Sequence, residues 1–131
     1  MVNLGLSQAD NLGVAASSLC LIHCIATPFL FIAQSCSISC CESSPIWWQW
    51  IDYGFLLISV IAVYWSAKKA KSKWIGLGLW LSWFVLSFLI LNEKIAWFAL
   101  AEYFIYIPAG TLIALHLYNQ KQCKQQGDCT I

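Results

Sequence analysis

Between Leu19 and Phe29 the chain reads LCLIHCIATPF, which sets Cys20, His23, Cys24 and Pro28 inside one apolar run. On a helix, residues i and i+4 share a face with Cβ atoms about 5–6 Å apart, so both sulfurs reach one ion from a single helix. His23 adds an imidazole nitrogen, either as a further ligand or as an acceptor of thiol protons, and Ser17 and Thr27 extend the same face toward either end. Pro28 has no amide hydrogen, so the Cys24 carbonyl loses its i+4 donor, and a bend with a free oxygen is expected beside the thiols. Thiolates select soft cations over magnesium or calcium. They also cancel charge: even a singly charged ion faces an idealised penalty of about 20 kcal/mol in hydrocarbon, whereas two thiolates around a divalent cation form a neutral unit. The plainer reading is that cysteine packs as a small hydrophobe and proline only bends the helix. Ionisable groups at membrane depth are functional by default, which favours the ligand reading for the combination.

The elements that must position these residues follow from composition. The 131 residues are 60% hydrophobic and 10% charged, with a mean hydropathy of +0.70. A soluble domain of this size cannot hide so much apolar surface. Crossing a bilayer core of roughly 30 Å takes about 20 helical residues, and four runs are expected to do so: about 12–34, 48–67, 74–91 and 95–118. The fold class is therefore all-α, a single four-helix membrane bundle over residues 1–131 with a tail at 119–131. The N-terminus MVNLGLSQAD lacks the basic stretch of a signal peptide, so no cleavage is expected.

Lysines set the orientation. Lys68, Lys69, Lys71 and Lys73 fill the link between the second and third runs, and Lys121 and Lys124 lie in the tail, while the opposite links carry only Lys94. Both termini are thus expected in the cytoplasm, with Trp47, Trp48, Trp50 and Trp97 at the outer interface and Trp65 and Trp74 at the inner one. The net charge of +1, with no arginine, offers no basic face for nucleic acid.

The seven cysteines fall into three groups: Cys20 and Cys24 in the first helix, Cys36, Cys40 and Cys41 in the outer loop, and Cys123 and Cys129 in the tail. A relay needs one group on each side of the membrane and one between. The outer three face an oxidising compartment, where a disulfide with one thiol left over and metal capture with Glu42 stand level. In the tail, Lys121 and Lys124 flank Cys123 and favour its thiolate, and a reducing cytosol favours metal exchange there over a structural disulfide. Glu102, about seven residues into the fourth run, is expected to face the bundle interior and meet His23 or a bound cation; a protonated carboxyl bonded to Tyr53 or another helix is the alternative. Asp52 reads as solvated near the outer interface or as guiding cations inward. His116 reads as an interfacial anchor or a step toward the tail. Pro108 and Gly110 read as packing.

The ADNLG start at Ala9 to Gly13, the first-helix cysteine pair followed by proline, the four expected crossings and the paired-cysteine tail together resemble the MerC family of bacterial inner-membrane mercuric-ion transporters. The resemblance extends over nearly the whole chain, its cysteine positions being the specific part. It implies Cys20 and Cys24 as primary ligands, Cys123 and Cys129 as the receiving pair, and delivery to a cytosolic thiol acceptor or mercuric reductase. Two departures stand out. Three residues rather than two separate the first-helix cysteines, the third being His23, and an added imidazole suits zinc or copper as well as mercury. The outer Cys36, Cys40 and Cys41 are not part of the family pattern.

The expected function is uptake of a soft metal ion through a multi-pass protein of the bacterial inner membrane, by thiol relay and without enzymatic activity. No resident cofactor is expected, the metal being cargo, and the bilayer and the ion are the expected partners. A membrane thiol-disulfide oxidoreductase is the rival class. It calls for a close cysteine pair at the membrane surface, for which only Cys36 with Cys40 or Cys41 serves, because adjacent Cys40 and Cys41 make a strained disulfide. A structural subunit of a larger complex is the third class, and oligomeric state stays open. The chain has no Walker motif or Gly-rich phosphate loop, which argues against ATP-driven pumping.

Overall fold

In a computed structural model, which describes residues 6–35 and 45–125, the chain is all-helical over the described elements: α1 Leu6–Ser35, α2 Ile46–Lys69, α3 Lys73–Ile95, a 3-10 turn Glu102–Ile105 and α4 Tyr106–Gln125. The packed pairs are α1–α2, α2–α3, α3–α4 and α1–α4, so the four helices close into a ring. Contacts run antiparallel, with Thr27 and His23 meeting Trp48 and Asp52 in turn and Asp10 meeting Asn119. The start of α1 and the end of α4 therefore share one end of the bundle with the α2–α3 link and its lysines. This is the lysine end below.

Helices form here because the sequence offers long apolar runs whose backbone groups must pair internally. Three of them, Gln8–Leu30, Ile46–Lys69 and Lys73–Ile95, are long and apolar enough to cross a membrane. Large apolar side chains such as Ile22, Phe29, Leu57 and Leu81 are exposed on their outer faces, the surface that lipid covers. The core is a thin seam of Cys20, Val63, Leu79, Leu86, Ile90, Ala109 and Leu112. At the lysine end, the ammonium groups of Lys68 and Lys69 lie 5.6 and 5.4 Å from the centroid of the Trp65 ring, within cation–π range.

The fourth run departs from expectation. A helix over 95–118 was expected, but α3 stops at Ile95 and α4 starts only at Tyr106. Asn92, buried near the end of α3, is the cause. Its side-chain amide donates to the Phe98 carbonyl and accepts from the Phe98 amide, both at 3.0 Å. Ala96 closes α3 in the left-handed region at φ 54°, its amide bonded to Asn92 O at 2.7 Å. Glu102 consequently sits on the 3-10 turn and not seven residues into a helix. At the other end α4 runs on to Gln125, so Cys123 lies on a helix and not in a loose tail.

α4 is held against α1 by a polar clamp. The Asp10 carboxylate lies 3.0 Å from His116 Nδ1 and accepts from Asn119 Nδ2 at 3.2 and 3.1 Å, while Gln120 donates to Asn11. The His116 ring lies flat on Gly13: a Cβ there would stand 2.3 Å from Nε2 and 2.4 Å from Cε1. Only glycine permits that approach. Gly13→Ala is accordingly expected to force the helices apart at a cost of about 1–3 kcal/mol, read as a lower midpoint of thermal unfolding in detergent, whereas Gly54→Ala, where nothing lies within 4 Å, should leave the midpoint within error.

Candidate metal centre

α1 presents Ser17, Cys20, Cys24 and Thr27 along one stripe, and its apolar span centres them between Gln8 and Leu30. Cys20 and Cys24 are free thiols one helical turn apart on one face of α1. Cys20 is buried and Cys24 partly so. From the middle of the apolar span each end lies roughly 15–18 Å away at 1.5 Å per residue.

His23, one residue from the stripe, turns toward α2. Its Nδ1 stands 2.9 Å from Asp52 Oδ1, yet neither atom forms an aligned hydrogen bond. At that distance only the angle can fail, so the two atoms lie close without an aligned hydrogen bond. Nε2 has no partner at all. The second carboxylate oxygen, Asp52 Oδ2, lies 3.5 Å from Lys94 Nζ at the end of α3. Asp52 is thus shared between an imidazole and an ammonium, and α1, α2 and α3 each supply one member of the group. One donor atom from each of His23, Cys24 and Asp52 lies within 4.8 Å of the others, close enough for one cation to gather them.

Trp48 closes the group on the side away from the lysine end. Its ring stacks on His23 with centroids 4.2 Å apart, and its indole N–H donates to Thr27 Oγ1 at 3.1 Å. Thr27 in turn donates to the His23 carbonyl at 2.8 Å. The Phe55 ring meets His23 edge-on at 6.0 Å. Aromatic walls lower the local dielectric, which strengthens attraction to any ion held inside.

Of the residues singled out in the sequence, the structure brings His23, Cys24 and Asp52 together, while Cys20 stands one turn from Cys24 outside that group. His23 meets Asp52; the side chain of Glu102, its expected partner, lies outside the described residues. His116 joins Asp10 instead of anchoring at an interface. Cys123 is buried and disulfide-bonded to a partner outside the described residues, which counters the expected reduced state of that thiol. Cys36, Cys40, Cys41 and Cys129 also lie outside the described residues. Sequence reasoning undervalued Asp52, Lys94 and Trp48. The available signal was charge, since an imidazole at membrane depth needs a carboxylate and only Asp52 and Glu102 compete.

A family model described as MerC mercury resistance protein matches residues 10–121. The chain belongs to the MerC family. The match begins at Asp10 and ends just past Asn119 and Gln120, so it spans the α1–α4 clamp as well as the thiol pair. Comparison with curated proteins and with solved structures returns no match. Membership of MerC, together with three apolar helices of crossing length, makes this a membrane protein of a mercury-resistance family.

The stacked indole should control access to the centre. The chain has two histidines, and His116, at 0% exposure, serves as an internal control. In Trp48→Ala, diethyl pyrocarbonate should modify His23 several-fold faster than in the unchanged protein while His116 stays protected, with mass spectrometry of the peptides reading both.

Proposed function

We propose that this MerC-family protein carries a soft divalent cation, mercuric ion first, across the bacterial inner membrane, with Cys20 and Cys24 as the primary ligands and His23 as a nitrogen donor beside them. The observation that carries the reading is the pair of free thiols one turn apart at the middle of an apolar span, with Cys24 gathered beside a histidine and a carboxylate. The chemistry is charge cancellation. The Asp52 carboxylate already has Lys94 beside it, and two thiolates around a divalent ion form a neutral unit, so the loaded centre avoids most of the penalty of a bare ion. Loading releases two thiol protons per ion.

α4 is the fourth crossing in this reading. At 20 residues it is about 30 Å long, although Asn119 to Gln125 make its last turns polar. The lysines of the α2–α3 link and of α4 put the lysine end, and hence both termini, in the cytoplasm. Reduction of the Cys123 disulfide would free that thiol, with Cys129 beyond it, to receive the ion and pass it to a cytosolic thiol acceptor. Zinc is the second reading, favoured by the mixed S, N and O donors of Cys24, His23 and Asp52.

Titration of mercuric ion and of zinc onto reduced protein in detergent, with bound metal read by elemental analysis, tests the site. One ion per chain is expected to be lost in Cys20→Ser/Cys24→Ser, and retention of that ion by the double variant would sink the proposal. Asp52→Asn should weaken zinc affinity by about 10–100-fold, the range seen when the partner of a ligating histidine is removed, with the stronger effect on zinc than on mercury because sulfur dominates the latter.

A further inference from the structure

Unloading the thiols requires that their two protons come back, and the candidate metal centre holds no group on the lysine side of Cys20 to return them. The described residues hold such a group elsewhere. Asp10 and His116 are both at 0% exposure, joined Nδ1 to Oδ1 at 3.0 Å. Nδ1 of the ring faces the carboxylate, and Nε2, pressed on Gly13, is buried without a partner. One turn along α1 from Gly13 is Ser17, also buried, its Oγ likewise without a partner, and three residues further is Cys20. Gly13, Ser17 and Cys20 lie on one helical stripe with rises of about 6 Å and about 4.5 Å between them.

A clamp between α1 and α4 accounts for the bonds of Asp10 to His116 and Asn119. It gives no reason for a buried, unpaired hydroxyl at Ser17, which costs about 1–3 kcal/mol where alanine would cost nothing comparable. A second unpaired buried hydroxyl, Ser66 on α2, lies level with Ala9 and Asp10 by the antiparallel register that pairs His23 with Asp52. The polar atoms left without partners thus continue from Cys20 toward the lysine end. Among the described residues, the charged groups of that end besides Asp10 are Lys68 and Lys69 closing α2, Lys71 in the α2–α3 link, Lys73 opening α3, and Lys121 and Lys124 on α4.

We propose that Asp10 and His116, with Ser17 between them and Cys20, form a proton path that returns protons from the cytoplasmic side to the intramembrane thiols as the ion departs. The inference rests on the metal-relay reading above. The ion held between the Cys20 and Cys24 sulfurs passes to two cytosolic thiols: two metal–sulfur bonds break and two form. The two acceptor S–H bonds break, and two S–H bonds form on Cys20 and Cys24. No electrons are transferred, and two protons move against each divalent ion. The imidazole takes a proton on one ring nitrogen and yields one from the other, as relays of buried Asp and His do in membrane transporters.

Ser17→Ala is the decisive variant, because it removes a hydroxyl that bonds to nothing and should leave folding intact. Reduced protein would be reconstituted in vesicles with glutathione and a pH-sensitive dye inside, and mercuric ion supplied outside. The expected result is one ion bound per chain and an unfolding midpoint no lower than that of the unchanged protein, with metal uptake and its linked proton movement slowed at least about tenfold, below the ~10²–10⁴ that positioned proton-transfer groups contribute. Uptake in the unchanged protein should also slow in heavy water. Ser17→Ala uptake equal to that of the unchanged protein overturns the proton path and leaves the metal relay standing. An unchanged protein that neither binds nor moves the ion overturns both.

Discussion

A carboxylate placed among lipid-facing helices costs several kcal/mol unless an opposite charge and hydrogen bonds offset it, and the bundle is organised around meeting that requirement twice. Asp52 on α2 is shared by His23 of α1 and Lys94 of α3. Asp10 on α1 is held by His116 and Asn119 of α4. Each carboxylate therefore ties together helices that have little else to bind them, since lipid removes the hydrophobic drive for helices to associate. The two ties fix α1 against both of its neighbours, one near each end, and α1 is the helix that carries the thiols.

That placement explains why the thiol pair faces inward rather than toward lipid. With Gly13 seated under His116 and His23 seated against Asp52, the rotation of α1 about its axis is set, and Cys20, between the two contacts, and Cys24, next to His23, fall on the bundle side. The seam of apolar side chains is thin, and large residues on the outer faces make no tertiary contribution comparable to it. The polar contacts set the register, and the bilayer supplies the enclosure. The same arrangement leaves a cation's charge to be cancelled locally, by thiolates, without disturbing either carboxylate pair.

Much of this was legible in the sequence. The apolar runs report helices directly, because backbone in lipid has no alternative partner, and Cys20 with Cys24 at i, i+4 reports a shared face. The MerC resemblance rested on residues that the structure also uses, including Asp10 and Gly13. What could not be read was long-range pairing. Asp10 meets His116 across 106 residues, and nothing local in ADNLG says that its glycine receives a histidine ring. The fourth helix was misplaced because AWFALAEY is as apolar as a membrane helix, and its unwinding depends on one side chain, Asn92, capturing the Phe98 peptide. Asp52 was undervalued beside His23 because nothing local in the sequence reports that α2 turns it toward α1.

The central claim, that an ion sits between the two thiols inside the membrane span, is tested most directly by X-ray absorption on metal-loaded protein in which Cys36, Cys40, Cys41, Cys123 and Cys129 are all serine. Cys20 and Cys24 then provide the only cysteine sulfurs. The expected result is a first shell containing two sulfur neighbours, for zinc at about 2.3 Å with a nitrogen or oxygen at about 2.0–2.2 Å. A shell of light atoms alone, or an ion lost on desalting, would contradict it.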